Sequence, residues 1–389
     1  MNVTALAFHS PRALRDTLRA HGWDEGQAAA AAGGTLPLAF HLTGVDQDAL
    51  EALVPLAGSL GLDVLTGDGW AVLGGSRARL SALARPWLVA PELAELATAV
   101  GLAMPAEPAR LWQTARGAVS LDDPVVLGIL NVTPDSFSDG GRYTGVDAAL
   151  AHADALLEAG AGMLDVGGES TRPGRTEPVP ESVELERVVP VIEALVRRHP
   201  AALISVDTVK AAVARAALAA GAAVINDVSA LRLDPSIARA VADARAGLIL
   251  MHSRGSILEI ASYTHASYGD VVAEVSAELA AALHLAGEAG VAPDATVIDP
   301  GFGFSKTVEQ NVALFAQLEA LQALGRPVLV GPSRKRFLGA VTGQPLEARD
   351  RATATACALA WERGARLFRV HDVVAARDAL TLVEAFGAR

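Results

Sequence analysis

The chain has 389 residues, a length that suits one domain of about 250–270 residues together with a smaller one. Hydrophobic residues make up 51% and charged residues 20%, so the composition supplies a sizeable core and excludes an intrinsically disordered chain. The net charge is −12 and no long basic tract is present. This balance disfavours a nucleic acid or an anionic membrane as partner, but it allows a small anionic ligand in a local basic pocket.

Cysteine and lysine are both rare in this sequence. Cys357 is the only cysteine, so no internal disulfide can form, and its helical surroundings predict a buried thiol. Lysine occurs only at positions 210, 306 and 335, although arginine is abundant. The N-terminus lacks a cationic start followed by an apolar stretch, and no apolar run reaches spanning length. We therefore expect a cytoplasmic protein without a membrane partner.

Residues 1–119 predict a small N-terminal α/β domain that ends in a linker. Apolar runs alternate with helical patterns in the order β-α-β-β-α, over residues 36–44, 48–61, 62–68, 70–76 and 77–85. Residues 91–120 have the pattern of a helix followed by a proline-punctuated linker. This part of the sequence contains no cluster of titratable or metal-binding residues, so its role stays open.

From residue 120 onward, short apolar runs rich in β-branched residues alternate with helical patterns. Eight such runs end at Asn131, Gly167, Asp207, Asp227, His252, Asp299, Gly331 and Val370. Continuous apolar strands separated by helices are typical of a parallel sheet that is covered on both faces. Eight repeats over residues 120–389 predict a (β/α)₈ TIM barrel. A doubly wound open sheet is the alternative, but it would usually have fewer strands.

Polar or ionisable groups stand at every predicted strand end, which is the face where barrel active sites lie. They are Asn131, Asp165, Glu169, Asp207, Asn226, His252, Asp299, Ser333, Lys335, Arg369 and His371. A lone Asp after a strand is more often a helix cap than a catalyst, but this accumulation favours a site. Carboxylates and amides suit a planar heterocycle, and the cations, with Arg172 and Arg334, suit a phosphate or a carboxylate. All three lysines follow strand ends.

Seven motifs at these strand ends resemble the dihydropteroate synthase family over residues 121–386. In chain order they are NVTPDSFSDGG (131–141), DVGGESTRPG (165–174), SVDT (205–208), INDVS (225–229), DPGFGFSKT (299–307), GPSRK (331–335) and RVHDV (369–373). The resemblance implies transfer of a dihydropterin-methyl group from its diphosphate to 4-aminobenzoate, with release of pyrophosphate. Residues 1–120 lie outside the resemblance.

Carried over motif by motif, the resemblance implies a role for each site residue. Asp207, Asn226, Asp299 and Lys335 are expected to hold the pterin, with Phe304 either as an apolar wall or as ordinary core. Asn131 corresponds to a residue that contacts Mg²⁺ beside the diphosphate, and one amide oxygen is chemically reasonable for this ion. Catalytic roles are implied for Asp207, Lys335, Arg369 and His371, of which the last two meet the leaving diphosphate. Thr171, Arg172 and Pro173 belong to a loop that closes over the aminobenzoate.

One position departs from the family pattern, and the oligomeric state is a further expectation. The family often carries SRKS, whereas residues 333–336 read SRKR, with Arg336 at the position of the serine that receives the aminobenzoate carboxylate. Either the guanidinium binds that carboxylate, or backbone N–H groups do so. The resemblance also implies a homodimer acting on two small-molecule substrates.

Three alternatives stay open at this level. A methyltetrahydrofolate-type methyltransferase shares a pterin-binding barrel but does not need Arg369, His371 or the 131–141 loop. A Schiff-base aldolase would use Lys335 as its nucleophile. A non-catalytic pterin-binding paralogue is the third alternative, and the intact motifs argue against it.

Overall fold

The structure is a computed structural model that describes residues 2–6, 38–75, 77–85, 89–103, 111–132, 142–169 and 177–387. The chain divides into two compact units, Met1–Ala106 and Glu107–Arg389. Among the described residues no helix is both long and apolar enough to cross a membrane.

The N-terminal unit is an antiparallel four-stranded sheet in the order β1-β2-β4-β3. Its elements are β1 (Asn2–Leu6), β2 (Leu38–Thr43), α1 (Gln47–Leu60), β3 (Asp63–Gly67), β4 (Trp70–Gly75), α2 (Arg77–Leu83) and α3 (Ala94–Ala103). Helix α1 begins where the Asp46 side chain accepts a hydrogen bond from the Ala49 N–H, and it ends at Gly61 with φ +64°. The predicted β-α-β-β-α order is present, and β1, which the sequence did not predict, extends the sheet beside β2.

Residues 111–120, which the sequence assigned to a linker, form a hairpin, whereas residues 104–110 of that predicted linker lie outside the described residues. Strands β5 (Leu111–Thr114) and β6 (Gly117–Ser120) pair with each other within the Glu107–Arg389 unit. Trp112 is fully buried among the apolar side chains of the barrel interior, and its Nε1 donates to the Ala295 carbonyl at 2.9 Å. The division between the units therefore lies before the expected one at 119/120, because the hairpin packs as part of the barrel.

This packing predicts that two truncations a few residues apart differ in stability. A chain that begins at Glu107 keeps Trp112, whereas one that begins at Ser120 loses it and exposes the apolar interior beneath. We expect the shorter chain to be less stable by about 3–5 kcal/mol, the usual cost of removing a buried tryptophan. Urea unfolding of both chains, with Trp112→Ala in the full chain as control, measures this. Equal stabilities would show that the hairpin contributes nothing to the barrel.

The larger unit is a closed parallel barrel with strand order β10-β11-β12-β13-β14-β7-β8-β9, which confirms the predicted (β/α)₈ fold. Its strands are β7 (Val125–Asn131), β8 (Met163–Gly167), β9 (Leu203–Asp207), β10 (Val224–Asp227), β11 (Gly247–Met251), β12 (Thr296–Asp299), β13 (Val328–Val330) and β14 (Ala365–Val370). Its α-helices are α4 (Arg142–Glu158), α5 (Glu181–Arg198), α6 (Ala211–Ala219), α7 (Ser236–Ala244), α8 (Val271–Glu288), α9 (Val308–Ala316), α10 (Arg336–Thr342), α11 (Asp350–Glu362) and α12 (Val373–Gly387).

Apolar side chains fill both faces of the barrel strands, as the continuous apolar runs predicted. One set packs outward against the helices, where Cys357 is fully buried as expected. The other fills the lower interior around Trp112 and includes Leu127, Met163 and Leu329. Above this interior layer the side chains become polar, so the chemistry is concentrated at the carboxyl ends of the strands.

Candidate active site

A pocket opens at the carboxyl ends of the barrel strands. It encloses about 360 Å³ of space continuous with solvent, and its walls combine carboxylates, an amide, two cations and apolar side chains. The lining residues are Asp207, Asn226, Val228, Met251, Asp299, Phe302, Phe304, Gly331, Lys335 and Arg369. Six of the residues predicted from the motifs thus share one cavity.

Arg369 joins two carboxylates across the pocket. Its Nε donates to Oδ2 of Asp165 at 2.5 Å, and its Nη2 donates to Oδ2 of Asp207 at 2.9 Å. Burial raises the pKa of Asp207 to about 7, against the opposing influence of the Arg369 charge. Loss of water around a carboxylate disfavours its charged form, so this group titrates far above an ordinary aspartate.

Asn226 and Asp299 provide the polar wall opposite. Asn226 is buried on β10, and its Nδ2 lies 3.3 Å from Oδ2 of Asp165. Asp299 ends β12, and its Oδ1 accepts the Gly301 N–H at 2.7 Å. Burial raises the pKa of Asp299 to about 6, although this hydrogen bond favours the charged form. Asp299 is therefore held in one orientation by its own backbone turn.

Lys335 and Phe304 form the third side of the pocket. The Lys335 Nζ lies 3.3 Å from the centroid of the Phe304 ring, within the range of a cation–π contact. Burial, with the nearby Arg369 charge acting in the same direction, lowers the pKa of Lys335 to about 7. Phe304 thus lines the pocket and also packs in a small apolar cluster with Val228 and Met251.

The turn that follows β12 is docked against the backbone of residue 252. Gly301 has φ +68°, and a Cβ added there would lie 2.0 Å from the His252 carbonyl oxygen. The buried Lys306 Nζ contacts the carbonyl oxygens of Gly301 and Phe304 at 3.2 Å each and Nδ1 of His252 at 2.9 Å. Burial lowers the pKa of His252 to about 4, so its neutral ring accepts at Nδ1 from Lys306 and donates at Nε2 to Glu278.

One of the three lysines lines the pocket and the other two do not, although all three follow strand ends. Lys335 lines it, whereas Lys306 lies behind the turn. Lys210 pairs with Glu169 at 2.7 Å and with Glu184, which α5 supplies. Arg334 likewise pairs with Asp350 through two hydrogen bonds of 2.8 Å. The sequence located these cations correctly on the barrel but did not reveal which carboxylates neutralise them.

His371 and Arg336 lie beside the pocket rather than among its lining residues. The His371 N–H donates to Ser333 Oγ at 3.1 Å, and that hydroxyl lies 2.9 Å from His371 Nδ1. The Arg336 guanidinium donates to the Ala261 carbonyl at 2.6 Å and stacks 4.6 Å above the Tyr263 ring. Thr171, Arg172 and Pro173 lie outside the described residues.

Asn131, the predicted metal contact, lies at the same rim as Asp207. Its Oδ1 is 3.6 Å, and Asp207 Oδ2 is 3.9 Å, from the point that a Cβ on Gly167 would occupy. Over the described residues there is no group of three or more His, Cys, Asp and Glu side chains that could hold a metal. An ion with few protein ligands, such as Mg²⁺, fits an amide oxygen next to this side-chain-free position.

Asp165 is the main residue whose role sequence reasoning missed. The sequence placed it at a strand end, but it is the third residue of β8, opposite Ile129 and Ser205, and it has no exposed surface. The alternation of side chains along a strand could have revealed this position. Asp165 and Gly167 are two residues apart and share one face of β8, so Asp165 lies one layer deeper than the rim.

Comparisons with known proteins agree with this geometry. Residues 127–371 match the family described as pterin binding enzyme. A curated dihydropteroate synthase from Mycobacterium leprae (strain TN) is 49% identical over 276 residues, which is 69% of this chain and 95% of that protein. A structure of Xanthomonas albilineans dihydropteroate synthase with 4-aminobenzoic acid is 50% identical, with TM-score 0.67, over 72% of this chain and 99% of that one. Another, in complex with 7,8-dihydropteroate, is 48% identical, with TM-score 0.64 and the same coverage.

Proposed function

Because the chain belongs to the pterin binding enzyme family, among the dihydropteroate synthases, we propose how its pocket catalyses the synthesis of dihydropteroate. The enzyme joins 6-hydroxymethyl-7,8-dihydropterin diphosphate to 4-aminobenzoate and releases 7,8-dihydropteroate and pyrophosphate. The observation that carries the assignment of roles is the arrangement of Asp207, Asn226, Asp299 and Lys335 around one cavity, with Arg369 across it.

The pterin ring is held by the buried polar wall. Asp299 and Asp207 offer carboxylate oxygens to ring N–H and amino groups, and Asn226 offers its amide. A buried carboxylate without such donors is left unpaired, so the wall selects a heterocycle that supplies them. Phe304 provides an apolar wall, and Lys335, whose Nζ lies over one face of the Phe304 ring, donates to an acceptor of the pterin ring.

The reaction breaks the bond between the exocyclic methylene carbon and the diphosphate oxygen, and pyrophosphate leaves with the electron pair. The resulting cation, delocalised into the electron-rich dihydropterin, is captured by the nitrogen of the aminobenzoate, which then loses a proton. Asp207 lies at the pocket and stabilises the cation electrostatically. Exclusion of water matters because water would also capture this cation.

Arg369 and His371 receive the departing diphosphate. Arg369 offers a guanidinium, which suits phosphate oxygens. Ser333 Oγ lies 2.9 Å from Nδ1 of His371 and orients the imidazole, which can donate a hydrogen bond to a phosphate oxygen. Asn131 would hold Mg²⁺, which when bound would offset negative charge on the diphosphate.

The aminobenzoate is assigned to Thr171, Arg172 and Pro173, together with Lys335. Arg336 is a weaker candidate for its carboxylate, since the guanidinium is already engaged with Ala261 and Tyr263. We further propose a cytoplasmic homodimer without nucleic-acid or membrane partners, on the strength of the family. Light scattering of the purified chain tests the dimer, and a monomer at micromolar concentration would exclude it.

Product analysis of the purified full chain tests the function. We expect pyrophosphate and dihydropteroate in equal amounts, identified by mass, when both substrates and Mg²⁺ are present. Omission of 4-aminobenzoate controls for simple hydrolysis of the diphosphate, and chelation of Mg²⁺ tests whether the reaction requires the ion. A chain that binds the pterin but forms no dihydropteroate would be a non-catalytic binder. Methyl transfer from a methylated pterin would identify a methyltransferase instead.

The raised pKa of Asp299 predicts a loss of pterin binding in acid. The group accepts hydrogen bonds as a carboxylate, so its protonation below about pH 6 removes the acceptor. Asp207 offers a carboxylate to the same ring and its pKa is about 7, so we expect kcat/KM for the dihydropterin diphosphate to fall about tenfold per pH unit below pH 7 and about 100-fold per unit below pH 6. Because the diphosphate itself titrates, calorimetry of the pterin alcohol, which lacks diphosphate, provides the control. Constant affinity of that alcohol between pH 5 and 8 would contradict the assignment.

A further inference from the structure

Asp165 is a fully buried carboxylate that does not line the pocket. It lies on β8 between Ile129 of β7 and Ser205 of β9 in the strand register, beneath Gly167. Burying a charged group costs several kcal/mol unless a cation and hydrogen-bond donors meet it. Apolar residues of similar volume often replace such groups without loss of stability. A role in the site therefore explains the carboxylate better than a role in folding does.

One oxygen of Asp165 contacts two side chains of the pocket wall. Its Oδ2 accepts from Arg369 Nε at 2.5 Å and lies 3.3 Å from Asn226 Nδ2. Oδ1 is buried and has no hydrogen-bond partner among the described residues. Both Arg369 and Asn226 line the pocket: Arg369 contacts Asp207, and Asn226 is its partner in the strand register. Asp165 thus holds two lining residues from below.

The two carboxylates that share Arg369 differ in exposure and in the nitrogen they use. Asp207, at the pocket, is 12% exposed and accepts from Nη2, whereas Asp165 is completely buried and accepts from Nε. An anionic ligand can take over the contact at Nη2 and leave the contact at Nε in place. The buried contact with Asp165 therefore holds the guanidinium in place while Nη2 can exchange Asp207 for a ligand.

The same oxygen also determines how the Asn226 amide is turned. Because Nδ2 is directed towards Asp165, Oδ1 of the amide faces the other way and is available to accept from a ligand N–H. We propose that Asp165 is a positioning residue, which fixes Arg369 for the diphosphate and Asn226 for the pterin without touching either. The proposal rests on the proposed function, since it assigns what those two residues receive.

A double-mutant cycle tests the proposal in the full chain. We expect Asp165→Asn to lower kcat/KM for the dihydropterin diphosphate about 10- to 100-fold, the coupling usual for contacting charged groups. The KM for 4-aminobenzoate should stay unchanged. In the Arg369→Gln background, the same substitution should add only the small loss that acts through Asn226. A fully additive loss, or unchanged kcat/KM in the single variant, overturns the proposal.

Ser205→Ala is the matched control for disturbance of the interior layer. Ser205 is equally buried and faces Asp165 in the register, and its hydroxyl finds no hydrogen-bond partner in the described part of the chain. We expect its kinetic constants to match those of the parent. If Ser205→Ala loses kcat/KM as Asp165→Asn does, the effect is one of packing and the proposal fails.

A measurement on the unaltered protein covers the case in which Asp165→Asn does not fold. The Nε–H of Arg369, identified in ¹⁵N NMR by its absence from Arg369→Lys, should be protected from solvent exchange both without ligand and with inorganic pyrophosphate. Rapid exchange in either state would show that Asp165 does not anchor the guanidinium. This result is independent of turnover. An inactive chain with a protected Nε–H would refute the proposed function and leave the anchor intact.

Discussion

Asp207→Asn is expected to leave the barrel folded and to lower kcat by about 10²- to 10³-fold, the usual effect of removing one electrostatic contact from an active site. The carboxylate lies at the pocket, paired with Arg369 at 2.9 Å, where its charge stabilises the cation formed as pyrophosphate leaves. The amide keeps the shape and one acceptor oxygen, so the variant removes charge with little change in volume. Single-turnover rates under saturating substrates measure the chemical step directly.

Asp270→Asn provides the same substitution away from the pocket. Asp270 caps α8 by accepting from the N–H groups of Val272 and Ala273, and asparagine caps helices about as well as aspartate. We expect parental rates for this control. A folded Asp207→Asn variant with parental turnover would remove Asp207 from the mechanism, while equal losses in both variants would point to a general effect of lost negative charge.

Gly301→Ala is expected to destabilise the chain by about 2–5 kcal/mol, combining a left-handed backbone penalty with overpacking. The new Cβ would lie 2.0 Å from the His252 carbonyl oxygen, a backbone atom that cannot rotate away. The turn would have to move, and with it Asp299 and Phe304. Urea unfolding reports the stability, and calorimetry of pterin binding reports the damage to the pocket.

Gly343→Ala separates the two contributions. Gly343 has φ +70°, nearly the same backbone angle, but a Cβ there meets no atom within 4 Å. This control should cost only the left-handed penalty of about 1–2 kcal/mol and leave pterin binding unchanged. Equal destabilisation in the two variants would mean that the turn yields easily and that the contact with His252 does not restrain it.

The sequence was sufficient for the barrel and for much of the pocket, because both depend on local patterns. Continuous apolar runs mark strands buried on both faces, and the residue after each run must lie at the carboxyl end. Asp207, Asp299 and Lys335 were found in this way. Short strands were harder to predict. Strands β1, β5 and β6 contain only four or five residues each, too few for the alternation of a strand to be distinguished from the pattern of a linker.

Side-chain partners were the part that the sequence could not supply. Lys210, Lys306 and Lys335 follow strand ends in the same way, yet only Lys335 lines the pocket. The difference comes from groups far along the chain, such as Glu184 on α5 for Lys210 and His252 for Lys306. Such pairs are set by helix placement over the barrel, which no local pattern encodes.

The shifted pKa values of Asp207, Asp299 and Lys335 make the contribution of these groups to the free energy of unfolding lowest near neutral pH. The pKa values of Asp207 and Asp299 are raised on folding, so their contribution to the free energy of unfolding falls as pH rises from about 4 to about 7. The pKa of Lys335 is lowered to about 7, so its contribution grows again only above that pH. A neutral side chain at any of these positions would relieve the conflict and remove the chemistry. The rest of the barrel must therefore be stable enough to tolerate a pocket that opposes folding under the conditions in which the pocket works.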